Sequence, residues 1–535
     1  MNFTAAFFKG SYMKQKNLFL RGAMVCLHQL HDTLPFFGPG MDSLCSLVLK
    51  NCAEAGLNCL LVEYEAMFPY RGEHSRIACK DAFSRAEIER FKSEASACGI
   101  EIIPLVQTLG HVYHILSHKE YASLRESPEH IQQCCPSNPA TLVLAKELID
   151  DIMETHPESR YIHLGGDECR LLGVCPRCAE IAASDPAGKY RVYADYYRQL
   201  ADYCISRGKK VILWHDIAVK VPEVLSEFSD DVIFHFWNYG DHCHGRLEES
   251  FALLNSKVPA KRIIGGAGIR GEGGHGSLLL SPSLAFDNIE RMNKLMLQHG
   301  AWGSIVTDWP DGGTSWMNAL PFFAAHGASA SSRELGRAWR KKFTFEYFGV
   351  DIPDWFDRCD AVYGPIPLAD GFQTQLRNYL NRYDFKDIDL DENMERILHC
   401  EAAIPRGGGI YWHCHRRLVL REWIRELEEL FHHVTKHKEE FISFVLTYKA
   451  AELLLSLSLG HIMAYLEKKN ELRYGYQLSA SLYQEDLKRA GDEMNSLAAE
   501  MRDFYSRFSP SRHVKNCIER LFDPAFKGKQ DPYKY

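Results

Sequence analysis

The stretch Arg160-Tyr161-Ile162-His163-Leu164-Gly165-Gly166-Asp167-Glu168 decides how the rest of the chain is read. A run of strand character breaks at two glycines and delivers two consecutive carboxylates. The run is continuously apolar instead of alternating, the pattern of a parallel strand covered on both faces. Seven other runs share it: Leu18–Leu27, Leu57–Tyr64, Glu101–Gln107, Lys210–Trp214, Val232–Trp237, Arg262–Gly266 and Ser304–Trp309. Between them lie amphipathic segments of helix length, among them Met41–Ala55, Arg85–Cys98, Leu142–Thr155, Lys189–Arg207 and Asp287–His299. Alternating strands and helices of this kind predict an α/β (β/α)8 TIM barrel, with its chemistry at the C-terminal ends of the strands. Asp167 and Glu168 then end the fourth strand.

Beyond residue 330 the strand-like runs nearly vanish. Long charged segments of helical period replace them: Arg416–Val434, Lys438–Leu466 and Tyr483–Phe508. The expected division is an N-terminal extension over 1–17, a catalytic barrel over 18–330, a C-terminal all-helical domain over 331–523 and a frayed tail over 524–535. Arg406-Gly407-Gly408-Gly409 reads as a loop within the helical part.

With 535 residues the chain exceeds one compact core. A net charge of −8 gives no reason to expect nucleic acid or an anionic membrane as partner. No apolar run reaches the roughly 18 residues of a membrane span. The apolar patch Phe3–Phe8 precedes its lysines, the reverse of a secretory signal. Seventeen cysteines without such a signal point to reduced thiols in a cytoplasm.

Adjacent carboxylates repel, so one holds its proton more tightly than the other. An acid beside a carboxylate is what acetal cleavage needs: one group protonates the leaving oxygen, the other manages positive charge. An Asp-Glu pair also suits the first turn of a helix, where carboxylates cap backbone amides. The other strand ends favour the chemical reading. They supply Glu63-Tyr64-Glu65, Gln107 to His111, Trp214-His215-Asp216, Trp237-Asn238-Tyr239 and Trp309-Pro310-Asp311, and strand one opens with Arg21. Aromatic faces stack on the C–H faces of a pyranose, while carboxylates, amides and an arginine address its hydroxyls. Any one tryptophan is more often core packing; three around an acid pair make a sugar site.

His163-Leu164-Gly165-Gly166-Asp167-Glu168 matches the His-x-Gly-Gly-Asp-Glu signature of family 20 glycoside hydrolases, the β-N-acetylhexosaminidases. Glu63–Tyr70, Ile103–His111 and Trp237-Asn238-Tyr239 resemble the hexosaminidase D branch of that family and its bacterial members. The resemblance runs over about residues 18–320. It implies an exo-acting, retaining enzyme in which the substrate's own 2-acetamido oxygen attacks C1 to form an oxazolinium ion. Glu168 matches the general acid and later base. Asp167 matches the residue that orients the acetamido N–H. Tyr239 is expected to donate to the acetamido oxygen, and Trp214, Trp237 and Trp309 to wall the methyl pocket and ring. Arg21 matches an arginine that grips the C3 and C4 hydroxyls, and Asp311 a glutamate used for outer hydroxyls. His111 matches a histidine supporting the acid, and His163 is expected to orient the strand-four loop. Gln107 stands where the family has an aspartate, so charged support for the pair is either missing or supplied from elsewhere, with Glu65 the candidate. The implied partner is a glycan or glycoconjugate ending in β-linked GlcNAc or GalNAc, with dimerisation through the helical domain a further option.

No cofactor is required by such a mechanism. Cys175-Pro176-Arg177-Cys178 nevertheless resembles a zinc knuckle, with Cys135, Cys169, His242 or His244 as candidates to complete a structural Zn²⁺ site. Two other readings stand beside the hexosaminidase. One is a non-catalytic amino-sugar-binding barrel. The other is a retaining glycosidase with an enzyme nucleophile, Asp216 or Asp311.

Overall fold

The computed structural model describes residues 18–27, 38–240, 245–270, 278–310, 315–352, 354–364, 409–468 and 476–522. Asp311, His242, His244, Arg406 to Gly408, and the segments 1–17 and 524–535 lie outside the described residues.

Eight strands close a parallel barrel in chain order. They are β1 (Leu20–Cys26), β2 (Cys59–Glu63), β3 (Glu101–Leu105), β4 (Tyr161–His163), β5 (Lys210–Trp214), β6 (Val232–Trp237), β7 (Ile263–Gly268) and β8 (Gly303–Thr307). Closure comes from β8 pairing with β1, Leu20 opposite Gly303. Each strand coincides with one of the eight runs read from the sequence. Nearly every strand residue is buried, because helices cover the outside while side chains fill the interior.

The covering helices carry their own start and stop signals. Arg85–Ala97 begins in a capping box, in which Ser84 accepts from the Glu87 amide and the Glu87 carboxylate accepts from the Ser84 amide. Pro282–His299 starts with Ser281 as cap and Pro282 in its first turn, and stops at Gly300 in the left-handed region. The predicted helix over Met41–Ala55 is interrupted by a π-helical segment, Leu44–Val48.

After the barrel come the helices Arg337–Phe348 and Trp355–Val362, then three longer ones, Gly409–Phe431, Lys438–Lys468 and Tyr476–Tyr505, and the shorter Ser511–Phe522. They pack onto the barrel through buried polar joints as well as apolar surface. Asn318 bonds both Ser443 and Thr447, Asn51 bonds Glu440 and Tyr347, and the Phe508 carbonyl accepts from Gly40 N and Ser43 Oγ. His437 stacks on Tyr347 at 4.0 Å. Among the described residues no helix is long and apolar enough to cross a membrane.

Candidate active site

Asp167 and Glu168 follow β4 by four and five residues, past the left-handed Gly165 (φ 71°) and Gly166 (φ 100°). Side chains cannot replace these hydrogens. A Cβ on Gly165 would lie 2.1 Å from Gln107 Oε1, and one on Gly166 2.8 Å from Tyr193 Oη. The turn is held from several sides. His163 Nδ1 accepts from Gly165 N at 3.1 Å, Tyr193 Oη donates to Gly166 O at 2.9 Å, and Trp214 N donates to Gly165 O at 3.0 Å. Thr108 Oγ1 donates to Leu164 O at 2.8 Å. His163 thus holds the first amide of the Gly165-Gly166 turn. It is fully buried, and burial together with His235 pushes it well below the usual histidine range, so it is neutral and can accept.

His111 Nε2 lies 3.3 Å from Asp167 Oδ2 and 3.5 Å from Glu168 Oε2. Burial opposes its charge, but the Asp167 carboxylate, followed by Glu168 and Glu63, raises it to about 10. His111 is therefore an imidazolium shared by the acid pair. Glu168 is the more open of the two, its side chain 36% exposed, and its Oε1 meets Arg170 at 2.6 Å on the solvent side. An exposed pair of this kind contributes little, so a ligand can displace Arg170 cheaply. Asp216 Oδ2 accepts from Glu168 N at 3.0 Å and its Oδ1 from Trp237 Nε1 at 3.4 Å. Burial and the Asp167 charge push Asp216 up to about 7.

The support for the pair comes from Glu63, not Glu65. Glu63 is the last residue of β2, 1% exposed, and its carboxyl accepts from Gln107 Nε2 at 2.9 Å. Burial raises it above the ordinary carboxylate range, and it feels both His111 and Asp167. Glu65 falls two residues past the strand, turns left-handed (φ 43°) and lies 4.0 Å from His114 Nδ1. The register could have shown this: Glu63 stands opposite Cys26 and Leu105, the last residues of their own strands.

Trp214, Trp237, Tyr239 and Trp309 lie near one another at this end of the barrel. Trp309 Nε1 donates to Tyr239 Oη at 2.7 Å, and Thr307 Oγ1 lies 3.1 Å from the same oxygen. Trp237 and Tyr239 rings are 5.1 Å apart, and Trp309 approaches Trp214 at 6.1 Å. Trp214 is 1% exposed and stacks on His235 at 4.2 Å, so it forms the floor of this wall.

Arg21 is a correction. It is the second residue of β1, and its guanidinium donates to the carbonyls of Leu18 and Gly56 at the opposite, N-terminal end of the barrel. It cannot address a sugar beside Glu168. An arginine missed in the sequence does stand past a strand's C-terminal end: Arg270, after β7, pairs with buried Asp308 at 2.8 Å. Its signal was Asp308 itself, the first residue after β8.

The cysteine expectation is partly redrawn. Cys175 and Cys178 are joined by Cys135 and by Glu126, which sequence reading did not select. Cys169 is elsewhere, its thiol directed at the carbonyls of Gly166 and Asp167.

Three of the five described non-glycine residues with positive φ are Glu65, His111 and Glu168. Backbone strain is thus concentrated at the rim that carries the acid pair, as is common at functional sites.

Comparison with known proteins agrees with the motif. Residues 61–258 match the model of glycosyl hydrolase family 20, catalytic domain. Hexosaminidase D of Bos taurus is 33% identical over 170 residues, 31% of this chain and 49% of that protein. Hexosaminidase D of Homo sapiens is 30% identical over 213 residues, 39% of this chain and 41% of that protein. The chain thus spans about half the length of the curated relatives it matches, or less. The X-ray structure of Flavobacterium johnsoniae chitobiase covers 94% of this chain and 78% of its own, with a TM-score of 0.50 and 15% identity, a likeness of fold.

Proposed function

We propose, from the family 20 match across β2 to β6, that this chain is an exo-acting retaining β-N-acetylhexosaminidase working by substrate assistance. Its substrates are glycans or glycoconjugates ending in β-linked GlcNAc or GalNAc. The observation that carries the reading is the His111 imidazolium placed against both Asp167 and Glu168. It gives the two neighbouring carboxylates one shared cation and leaves Glu168 facing solvent.

Glu168 protonates the departing glycosidic oxygen, then takes a proton from water. Asp167, buried beside His111, accepts the acetamido N–H and steadies the charge that develops on the oxazolinium ring. Tyr239, positioned by Trp309, faces the acetamido oxygen. The nucleophile is part of the substrate, so the protein's task is to hold it near C1, which removes much of the entropic barrier. Asp216 fits a positioning role. Its oxygens accept from Glu168 N and Trp237 Nε1, which opposes its use as an enzyme nucleophile.

The test compares Glu168→Gln on a natural glycoside and on a substrate with an acidic phenol leaving group. The variant should lose most of kcat on the first and much less on the second, because the phenol leaves without a proton. A thiazoline mimic of the bicyclic intermediate should inhibit tightly. Equal losses on both substrates, or a covalent adduct trapped with a 2-fluoro glycoside, would overturn the assignment.

A further inference from the structure

We propose that Glu126, Cys135, Cys175 and Cys178 hold a structural Zn²⁺ that clips the loop after β3 to the loop after β4. The proposal does not depend on the sugar reading.

The four ligand atoms lie within 4.8 Å of one another. Cys135 Sγ is 3.4 Å from Cys175 Sγ and 3.6 Å from Cys178 Sγ, and Cys178 Sγ is 3.3 Å from Glu126 Oε2. A tetrahedral zinc with Zn–S near 2.3 Å and Zn–O near 2.1 Å has S···S edges of about 3.8 Å and S···O edges of about 3.6 Å. Shifts of a few tenths of an ångström bring the observed edges to those values. The sulfurs are far beyond the roughly 2.05 Å of a disulfide.

The surroundings are also those of a metal site. Glu126 is 1% exposed, and its other oxygen, Oε1, accepts from Val174 N and Cys175 N, each at 2.9 Å. This fixes the carboxylate and leaves Oε2 aimed at the thiols. Cys175 caps the helix Pro176–Ser184, with Cys178 N donating to its sulfur at 3.4 Å. Ser137 Oγ lies 3.1 Å from Cys178 Sγ, a further hydroxyl for a thiolate. Hydrogen bonds of this kind orient ligands around a bound ion. Three sulfurs and one carboxylate oxygen favour zinc over hard cations such as Mg²⁺ or Ca²⁺.

The position gives the ion its purpose. Glu126 and Cys135 belong to the same loop as His111, whereas Cys175 and Cys178 follow Asp167 and Glu168 by a few residues. Without the ion the two loops meet through contacts such as Gln133 Oε1 accepting from Leu171 N at 2.8 Å. The clip therefore fixes the imidazolium relative to the acids it serves.

The tag-free full chain, expressed in zinc-supplemented medium, should carry about one zinc per chain by elemental mass spectrometry. Blocking thiols with a mercurial should release it to a colorimetric chelator. Cys135→Ser and Cys178→Ser should each fall below about a fifth of an equivalent, while Cys169→Ser keeps its zinc. Cobalt-loaded wild type should show the visible absorption of thiolate-bound tetrahedral Co²⁺, a readout that needs no variant to fold. Under about half an equivalent in wild type, with all three thiols open to a disulfide reagent before any chelator, overturns the proposal. A Cys135–Cys175 or Cys135–Cys178 disulfide found by mass spectrometry overturns it as well.

Discussion

Replacing His111 by glutamine removes the cation placed against Asp167 and Glu168. The structure sets the size of the effect. An imidazole that titrates near 6.5 in the unfolded chain titrates at about 10 in the fold. A raised folded pKa stabilises fully below the unfolded value, and that contribution disappears as pH rises through the folded one. At about 1.36 kcal/mol per unit, protonation of His111 contributes roughly 5 kcal/mol at pH 5.5, roughly 4 at pH 7 and between about 1 and 2 at pH 9. These are upper bounds, because burial raises both Asp216 and Glu63, so either can take up a proton more readily than an ordinary carboxylate once the cation is gone. His111→Gln should therefore be much less stable than wild type at pH 5.5 and approach it at pH 9. Urea unfolding followed by tryptophan fluorescence at three pH values measures the difference. A stability gap constant within about half a kcal/mol from pH 5.5 to 9 would refute the reasoning, since it would mean that the ring is only packing.

Asp167→Asn replaces a charge-assisted hydrogen bond worth about 1.5–3 kcal/mol, so kcat should fall roughly ten- to two-hundred-fold. The loss should persist on an activated phenol glycoside, and near wild-type rates there would remove Asp167 from the acetamido role. Gly166→Ala forces a Cβ to 2.8 Å from Tyr193 Oη at φ 100°, which should cost at least about 1–3 kcal/mol. Thermal unfolding decides it, an unchanged Tm being the adverse result. Arg21→Ala should leave kcat/KM within about twofold of wild type, because its guanidinium serves the far end of the barrel. A large rise in KM would restore it to the sugar site.

Continuous apolar burial is a strong local signal, and it located all eight strands to within a few residues. Direction along a strand is not local in the same way. Arg21 was assigned a role at the mouth although it opens β1. Five residues separate it from Cys26, at about 3.3 Å each some 16 Å from the rim. Glu63 and Glu65 differ by two residues, yet the pleat keeps Glu63 in the barrel while the chain bends away at Glu65. Motif matching carried the acid pair, His111, Gln107, Tyr239 and the tryptophans to one end of the barrel, since each ends a strand or follows one by a few residues. Glu126 and Cys135 were harder. Their partners lie about 40 to 50 residues onward, and the loop that carries them is folded back by non-local contacts, among them the antiparallel bridges Gly110–Gln133 and Arg125–Cys134.

Those bridges bear on the chemistry. A left-handed Glu168 and a left-handed His111 each cost about 1–3 kcal/mol and persist only where surrounding structure over-determines them. Tyr193, Thr108 and Trp214 hold the turn before the acids from below. From the side, Gln133 binds Leu171, and Glu126 binds Val174 and Cys175. The backbone of the acid loop is thus restrained from two sides, by groups on and around the barrel such as Tyr193, Trp214 and Asp216, and by the loop that presents His111. Disturbing the first misplaces both carboxylates together. Disturbing the second leaves the carboxylates on the barrel and moves the cation, so it should alter the pH dependence of catalysis before it alters the binding of the sugar ring.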